Sequence, residues 1–221
     1  MTPLRFPPSV HVTSGWFDII GAFTREDTAL SGVPGGRGSP LGHVQAELSL
    51  LIYGEPAHKA WRAFTAQAPF RTLQVPILTR FGMGRAAGGV AATRTPFVAP
   101  LADGQGLYWG DHIANGALVE DAQAQSTRLH VAADLTLQAG TWFEIGFAAY
   151  RVTQVQADAG VQHVEFQPRL RRSLPAGEPL YCETPHAYLR GAVPVGTETP
   201  DGATRLTITL TEDVRYGFGL G

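Results

Sequence analysis

The sequence predicts a mainly β protein: an antiparallel β-sandwich or barrel, one short packed helix, and a small β-barrel module in the second half. Three observations carry this. The 221 residues contain 26 glycines and 16 prolines spread along the whole chain, which leaves little room for long helices. Apolar residues mostly recur with period two, the spacing of a half-buried strand. Only one segment puts its apolar residues at helical spacing with good start signals.

The first clear strand is "VQAELSLLIYG", Val44–Gly54, which places Val44, Ala46, Leu48, Leu50 and Ile52 on one face. The helix follows directly as "EPAHKAWRAFTAQ", Glu55–Gln67. Pro56 suits a first turn, where its missing N–H costs nothing, and Glu55 suits the positive end of the helix dipole. Ala57, Ala60, Trp61 and Phe64 share a face, so Trp61 is expected to be buried against the sheet. "TLQVPIL" (Thr72–Leu78) and "RLTITLT" (Arg205–Thr211) read as further strands, and "NGALVEDAQAQS" (Asn115–Ser126) fits a second helix or a β-rich connection. Thr28–His43 and Arg80–Pro96 read as loops longer than the roughly 12–15 residues usual in compact domains, which points to a task or to ordering by a partner.

The second half reads as a meander. "TRLHV" (Thr127–Val131) precedes a strand in which Phe143, Ile145 and Phe147 alternate, with "FAA" as the turn. On the next strand Tyr150, Val152 and Gln154 face one side, and Arg151, Thr153 and Val155 the other. "ADAG" (Ala157–Gly160) turns the chain into "VQHVEF" (Val161–Phe166), and "GEPLYCET" (Gly177–Thr184) follows. Strands this short and regular suggest a small antiparallel barrel. The expected division is a ring-forming sheet-plus-helix region over 1–110 and a barrel region over 111–221, with one intertwined domain as the alternative.

Composition narrows function. Charged residues make up 16%, below the usual quarter or so, and a neutral surface suits extensive subunit contact. A formal charge of −2 gives no reason to expect general or sequence-specific nucleic-acid binding. Lys59 is the single lysine against 16 arginines, a bias that suits interfaces and that a GC-rich genome also produces. Cys182 is the single cysteine, so an intrachain disulfide is excluded. "MTPLRFPPSVHV" lacks a signal-peptide h-region, and no apolar run reaches the roughly 18 residues that span a bilayer. A soluble protein made in a reducing cytoplasm is expected, with no membrane partner.

Candidate chemistry is thin. "GMGRAAGG" (Gly82–Gly89) lacks the flanking strand, helix and acidic residue of a dinucleotide loop. Cys182 and His186, with Glu183 beside the cysteine, are too few for a zinc site, and His11, His43, His58, His112, His130 and His163 are scattered. Asp111–His112 has no G-x-S-x-G partner. Glu144, Glu165 and Glu183 could face one another as a glycosidase pair, although strand glutamates are normally solvated. The expectation is therefore no enzyme, no cofactor and no metal. Candidate subunit-interface residues are Arg80, Arg85 and Arg94 in the second long loop, Tyr108 and Trp109 in "DGQGLYWG", and Arg169, Arg171 and Arg172 at a strand end. Tyr108 and Trp109 could equally stack on sugar.

The order "STRLHV … LQAGTWFEIGFAAYRVTQVQADAG … VEFQPRLRRSLPAGEPLYCETP" resembles a barrel module of tailed-phage structural proteins. The positions that carry it are Gly140, Phe143 and Ile145; Tyr150, Arg151 and Val152; Pro168, Leu170 and Arg171; and Gly177 and Leu180. It departs from the module at Pro168-Arg169, where two prolines are usual, and at Ala139–Thr141, where "AGD" is usual. "AELSLLIYG", a helix carrying "WRA" and "LQVPI" look like proteins encoded near the tail tip of siphophages and related gene-transfer particles. The resemblance spans roughly Val44 to Pro194. It implies a distal tail or baseplate hub ring protein that joins the tail tube to tip proteins. The implied partners are other copies of itself, in a hexamer or alternatively a trimer, and the tail tube, tape-measure and baseplate hub proteins. The implied location is the virion tail tip, after synthesis in the host bacterial cytoplasm. A carbohydrate-binding module contacting the host surface is the alternative.

Overall fold

The structure is a computed structural model that describes residues 2–7, 9–21, 42–77, 98–100, 106–108, 114–134, 136–158, 160–182, 185–197, 199 and 202–217. It is mainly β, as expected, with a mixed six-stranded sheet, a closed six-stranded barrel and one packed helix. The long loops Thr28–His43 and Arg80–Pro96 lie outside the described residues, apart from Gly42 and His43.

The sheet is built from both ends of the chain. Its N-terminal strands are β1 (Leu4–Arg5), β2 (Val10–Ile20), β3 (His43–Tyr53) and β4 (Leu73–Pro76). Between β3 and β4 comes helix α1 (Glu55–Gln67). After β4 come a two-stranded ribbon, β5 (Val98–Pro100) with β6 (Gly106–Tyr108), and then the barrel. The barrel strands are β7 (Gly116–Leu118), β8 (Arg128–Ala133), β9 (Trp142–Ile145), β10 (Ala148–Asp158), β11 (Val161–Gln167) and β12 (Pro179–Tyr181). The chain then returns to the sheet with β13 (His186–Arg190) and β14 (Ala203–Glu212), and a short helix α2 (Val214–Gly217) follows. Sheet order is β1-β4-β13-β14-β3-β2, antiparallel except for the parallel β1–β4 pair. Strands β13 and β14 pair with β4 and β3, so in chain order the barrel strands fall between strands of the sheet.

Strand β3 lies between β14 and the edge strand β2 and is paired on both sides along its length. Val44, Ala46, Leu48, Leu50 and Ile52 are all buried, as the alternation predicts. Helix α1 lies on this core with Ala57, Trp61 and Phe64 inward, whereas Ala60 is only half-buried. Trp61 is 1% exposed, stacks on Phe64 at 5.2 Å, and meets Phe6 at 6.3 Å. Its indole N–H donates to the carbonyls of Pro194 (3.2 Å) and Val195 (3.1 Å), so the one polar atom of a buried ring is satisfied.

The barrel closes in the order β10-β11-β8-β7-β12-β9. "NGALVEDAQAQS" is its β-rich connection: β7, then an isolated bridge between Ala122 and Leu174. Two details of the meander differ from expectation. The turn between β9 and β10 is Gly146–Phe147, not "FAA", and both residues have positive φ (59° and 63°). That is the signature of a tight two-residue primed turn, whose twist matches the flanking strands. Phe147 therefore leaves the Phe143/Ile145 face. Second, the pairing of β10 with β11 shifts register between Val152 and Gln154. The bulge adds one residue and reverses parity beyond it. Val155 consequently packs on the same core as Val152, opposite Val164, and Gln154 turns outward beside Glu165.

Replacing Trp61 with alanine is expected to cost about 3–5 kcal/mol, because a buried indole leaves a cavity that its neighbours fill poorly. Urea unfolding of Trp61→Ala measures it; a loss below about 1 kcal/mol contradicts the packing described.

Candidate functional site

The polar centre of the molecule lies where barrel and sheet meet. Strand β9 has two faces. Phe143 and Ile145 point into the barrel core, while Trp142 joins the core of the sheet and Glu144 reaches β13. The Glu144 carboxylate is buried and accepts the His186 backbone N–H (2.8 Å) and the Tyr188 hydroxyl (2.7 Å). Burial, with the Glu144 charge second, holds the Tyr188 hydroxyl protonated well above the usual tyrosine range. Next along β10, Arg151 pairs with Asp18 of β2 at 2.9 Å and lies over the Trp142 ring.

Arg171, just past β11, forms the second tie. It is 1% exposed, and its partner Glu212, at the end of β14, is 4% exposed. Arg171 Nε donates to Glu212 Oε1 (2.8 Å) and Nη2 to Oε2 (2.6 Å), a two-pronged match of guanidinium and carboxylate. Nη2 also donates to the Gly42 carbonyl, and the Val44 N–H donates to Glu212 Oε2 at 2.9 Å. The Arg171 backbone N–H donates to the Tyr150 hydroxyl (3.1 Å) in the barrel core, and burial holds that hydroxyl protonated well above the usual range. Gly217 of α2 closes over the pair; a Cβ there would lie 3.2 Å from Arg171 Cγ.

Beside this tie lies an aromatic corner. Phe147 is 49% exposed and meets Tyr188 (5.9 Å) and Tyr216 (5.8 Å) edge-on, while those two tyrosines stack at 4.9 Å. Arg172 lies 5.6 Å over the Phe147 ring and reaches Glu178 only at 3.8 Å.

The sequence candidates sort as follows. Arg171 is no surface residue; it finds its carboxylate inside its own chain, because the loop after β11 folds back on β14. Arg169 is exposed, and Arg172 stays at the corner surface, 35% exposed. Arg80, Arg85, Arg94, Trp109, Asp111 and His112 lie outside the described residues, as do Gly82–Gly89 and Glu183, and Tyr108 is described only as backbone of β6. Glu144 is not solvated as expected, and Glu165 pairs with Arg128 (2.7 Å) on the outer face of β11, so the two have different partners. Cys182 is buried, and burial pushes its thiol up to about 12, which makes it inert at neutral pH. The His186 ring lies beside Glu144 at 3.5 Å. Among the described residues no group of three or more His, Cys, Asp or Glu side chains could hold a metal ion, and no helix is long and apolar enough to cross a membrane.

Sequence reasoning missed Glu212, Glu144 as a junction residue, and the Phe147–Tyr216 contact. The Gly146–Phe147 turn left a trace, a glycine interrupting an apolar alternation. The pairing of Arg171 with a residue 41 positions away left none. Compared with known proteins, the chain matches no family model and no curated protein.

Two outcomes are expected. Arg171→Met leaves a buried Glu212 charge without its partner and costs about 3–5 kcal/mol, whereas Arg171→Met with Glu212→Leu recovers much of that. Chemical denaturation of the three proteins measures it; equal loss in single and double variants contradicts the pairing. Cys182 binds its proton more tightly folded than unfolded, so its contribution is complete below the ordinary thiol value of 9.0 and is lost as pH rises from there toward about 12. A disulfide thiol reagent at pH 8 should label Cys182 only as fast as the protein unfolds; rapid labelling of the native protein contradicts its burial.

Proposed function

We propose that the chain is a non-enzymatic structural subunit of the distal tail or baseplate of a phage-type particle, virion or related gene-transfer particle. It assembles as a closed ring, most simply of six copies following the tube's symmetry, with three as the alternative. It joins the tail tube to tape-measure and hub proteins at the tail tip, after synthesis in the host bacterial cytoplasm.

The observation that carries this reading is where the resemblance falls on the fold. Phe143, Ile145, Tyr150, Val152, Leu170 and Leu180 are buried in the barrel core. Gly140 takes positive φ at a turn, and Pro168 follows a cis peptide bond. Arg171 ties the barrel to the sheet. These are packing and positioning residues, with no reacting group among them. A motif of that composition supports a part that has to hold a shape and be gripped by neighbours.

A second reading, the carbohydrate-binding module, draws on a shallow groove of about 540 Å³ on the outer face of the barrel. Arg128, His130, Gln154, Gln156, His163 and Glu165 line it with hydrogen-bonding side chains. No Trp, Tyr or Phe lies among its lining residues, and those stacking rings are the usual basis of sugar recognition, so the structural reading is preferred.

The test is purification of the chain alone and with tail-tip partners, followed by light-scattering mass and electron microscopy. A ring of defined copy number is expected. A chain that stays monomeric in both preparations, or that binds glycans with micromolar affinity on an array, contradicts it.

A further inference from the structure

The aromatic corner combines three features that the fold does not need. Phe147 occupies a position at φ 63°, where glycine or asparagine is favoured and a bulky side chain is strained. A glycine there would close the same hairpin with less strain, yet the position carries a phenylalanine that is half exposed. Arg172, which covers the ring, has its Nε buried and without a hydrogen-bond partner among the described residues, and its Nη2 lies 3.8 Å from the Glu178 carboxylate. A buried donor left unpaired is costly, and an incoming acceptor removes that cost. Arg169, three residues before Arg172, and Arg215, next to Tyr216 in α2, are exposed. Subtracting these three positive charges from the formal −2 leaves −5 on the rest of the chain, a balance that favours an acidic partner surface on another copy.

The barrel shows where that surface is. The Phe147 turn lies at the Ala148 end of β10, and Arg151 there pairs with Gln167 at the end of β11. At the opposite end β10 finishes at Asp158 opposite Val161, and Val131 of β8 pairs with Gln162, so that Asp134 follows at the same end. Asp134 and Asp158 are exposed. One end of the barrel thus carries an aromatic ring and arginines, the other carries aspartates.

We propose that copies of this chain meet head to tail through the barrel: the Phe147–Arg172 corner of one subunit docks on the Asp134/Asp158 end of the next. Such a contact joins two different faces, which is the heterologous geometry that a closed ring requires. The inference rests on the ring reading and names the contact within it. Phe147 supplies the apolar anchor, and Arg172, 35% exposed and only loosely paired with Glu178, supplies the charge.

Sedimentation velocity of the 221-residue chain over a concentration series tests this, with circular dichroism confirming the fold of each variant. Phe147→Gly, which relieves the positive-φ strain, and Arg172→Glu are each expected to weaken self-association at least tenfold while the fold is kept. Asp134→Arg with Asp158→Arg, combined with Arg172→Glu, is expected to restore association to within about threefold of the original chain. If the original chain assembles and Phe147→Gly and Arg172→Glu assemble equally well, the corner is not the contact, and the ring reading survives. Loss in Arg172→Glu without rescue by the aspartate reversals overturns the head-to-tail pairing. An original chain that remains monomeric throughout overturns the contact and the ring together.

Discussion

Barrel and sheet have two apolar cores, Trp142 and Ala149 of the barrel strands belonging to that of the sheet, and the buried ion pair between Arg171 and Glu212 fixes how one sits against the other. Taking two charges out of water is expensive, and only good geometry with further hydrogen bonds offsets it. Both conditions are met. The guanidinium meets the carboxylate through two nitrogens, and the Gly42 carbonyl and Val44 N–H complete the set. The pair therefore links the exit of β11, the end of β14 and the start of β3, three segments far apart in sequence. A buried pair of this kind adds less to net stability than to geometry, since partners that must align at under 3 Å admit one orientation. Gly217 lets α2 close over the arginine, which keeps water from weakening the contact.

The rest of the junction follows from the parity of one strand. Because side chains alternate across a strand, β9 gives Phe143 and Ile145 to the barrel and still offers Trp142 and Glu144 to the sheet. Trp142 supplies apolar area, which is non-directional and would tolerate sliding. Glu144 is directional: it accepts from the backbone of His186 and from the Tyr188 hydroxyl, and so sets where β13 lies. Tyr188 then stacks with Tyr216 and supports Phe147, so the polar junction and the exposed corner form one continuous group of side chains.

This arrangement separates shape from recognition. Phe143, Ile145, Tyr150, Val152, Leu170 and Leu180 are buried in the barrel core and Gly140 lies in a turn, where they determine how the barrel closes. The residues free to meet another molecule sit at strand ends and turns, which the same barrel holds in place. Surface contacts are only as well placed as the scaffold beneath them.

Local pattern was enough for much of the fold. The alternation in Val44–Ile52, the helix over Glu55–Gln67 with Trp61 inward, and the strands Thr127–Val131 and Val161–Phe166 depend on neighbours a few residues away, and each is present. The bulge at Val152–Gln154 was not legible, because it depends on how the partner strand takes up one extra residue, and the turn at Gly146–Phe147 left only its glycine as a trace. The candidate site was half legible. The sequence by itself determined that arginines cluster at 169–172, but it could not tell a surface cluster from a buried tie. Only the tertiary structure decided that Arg171 turns inward to Glu212 while Arg172 stays at the surface over Phe147. The physical reason is that a charge is buried only where a partner already waits, and that partner comes from a strand that the chain reaches only after the barrel is complete.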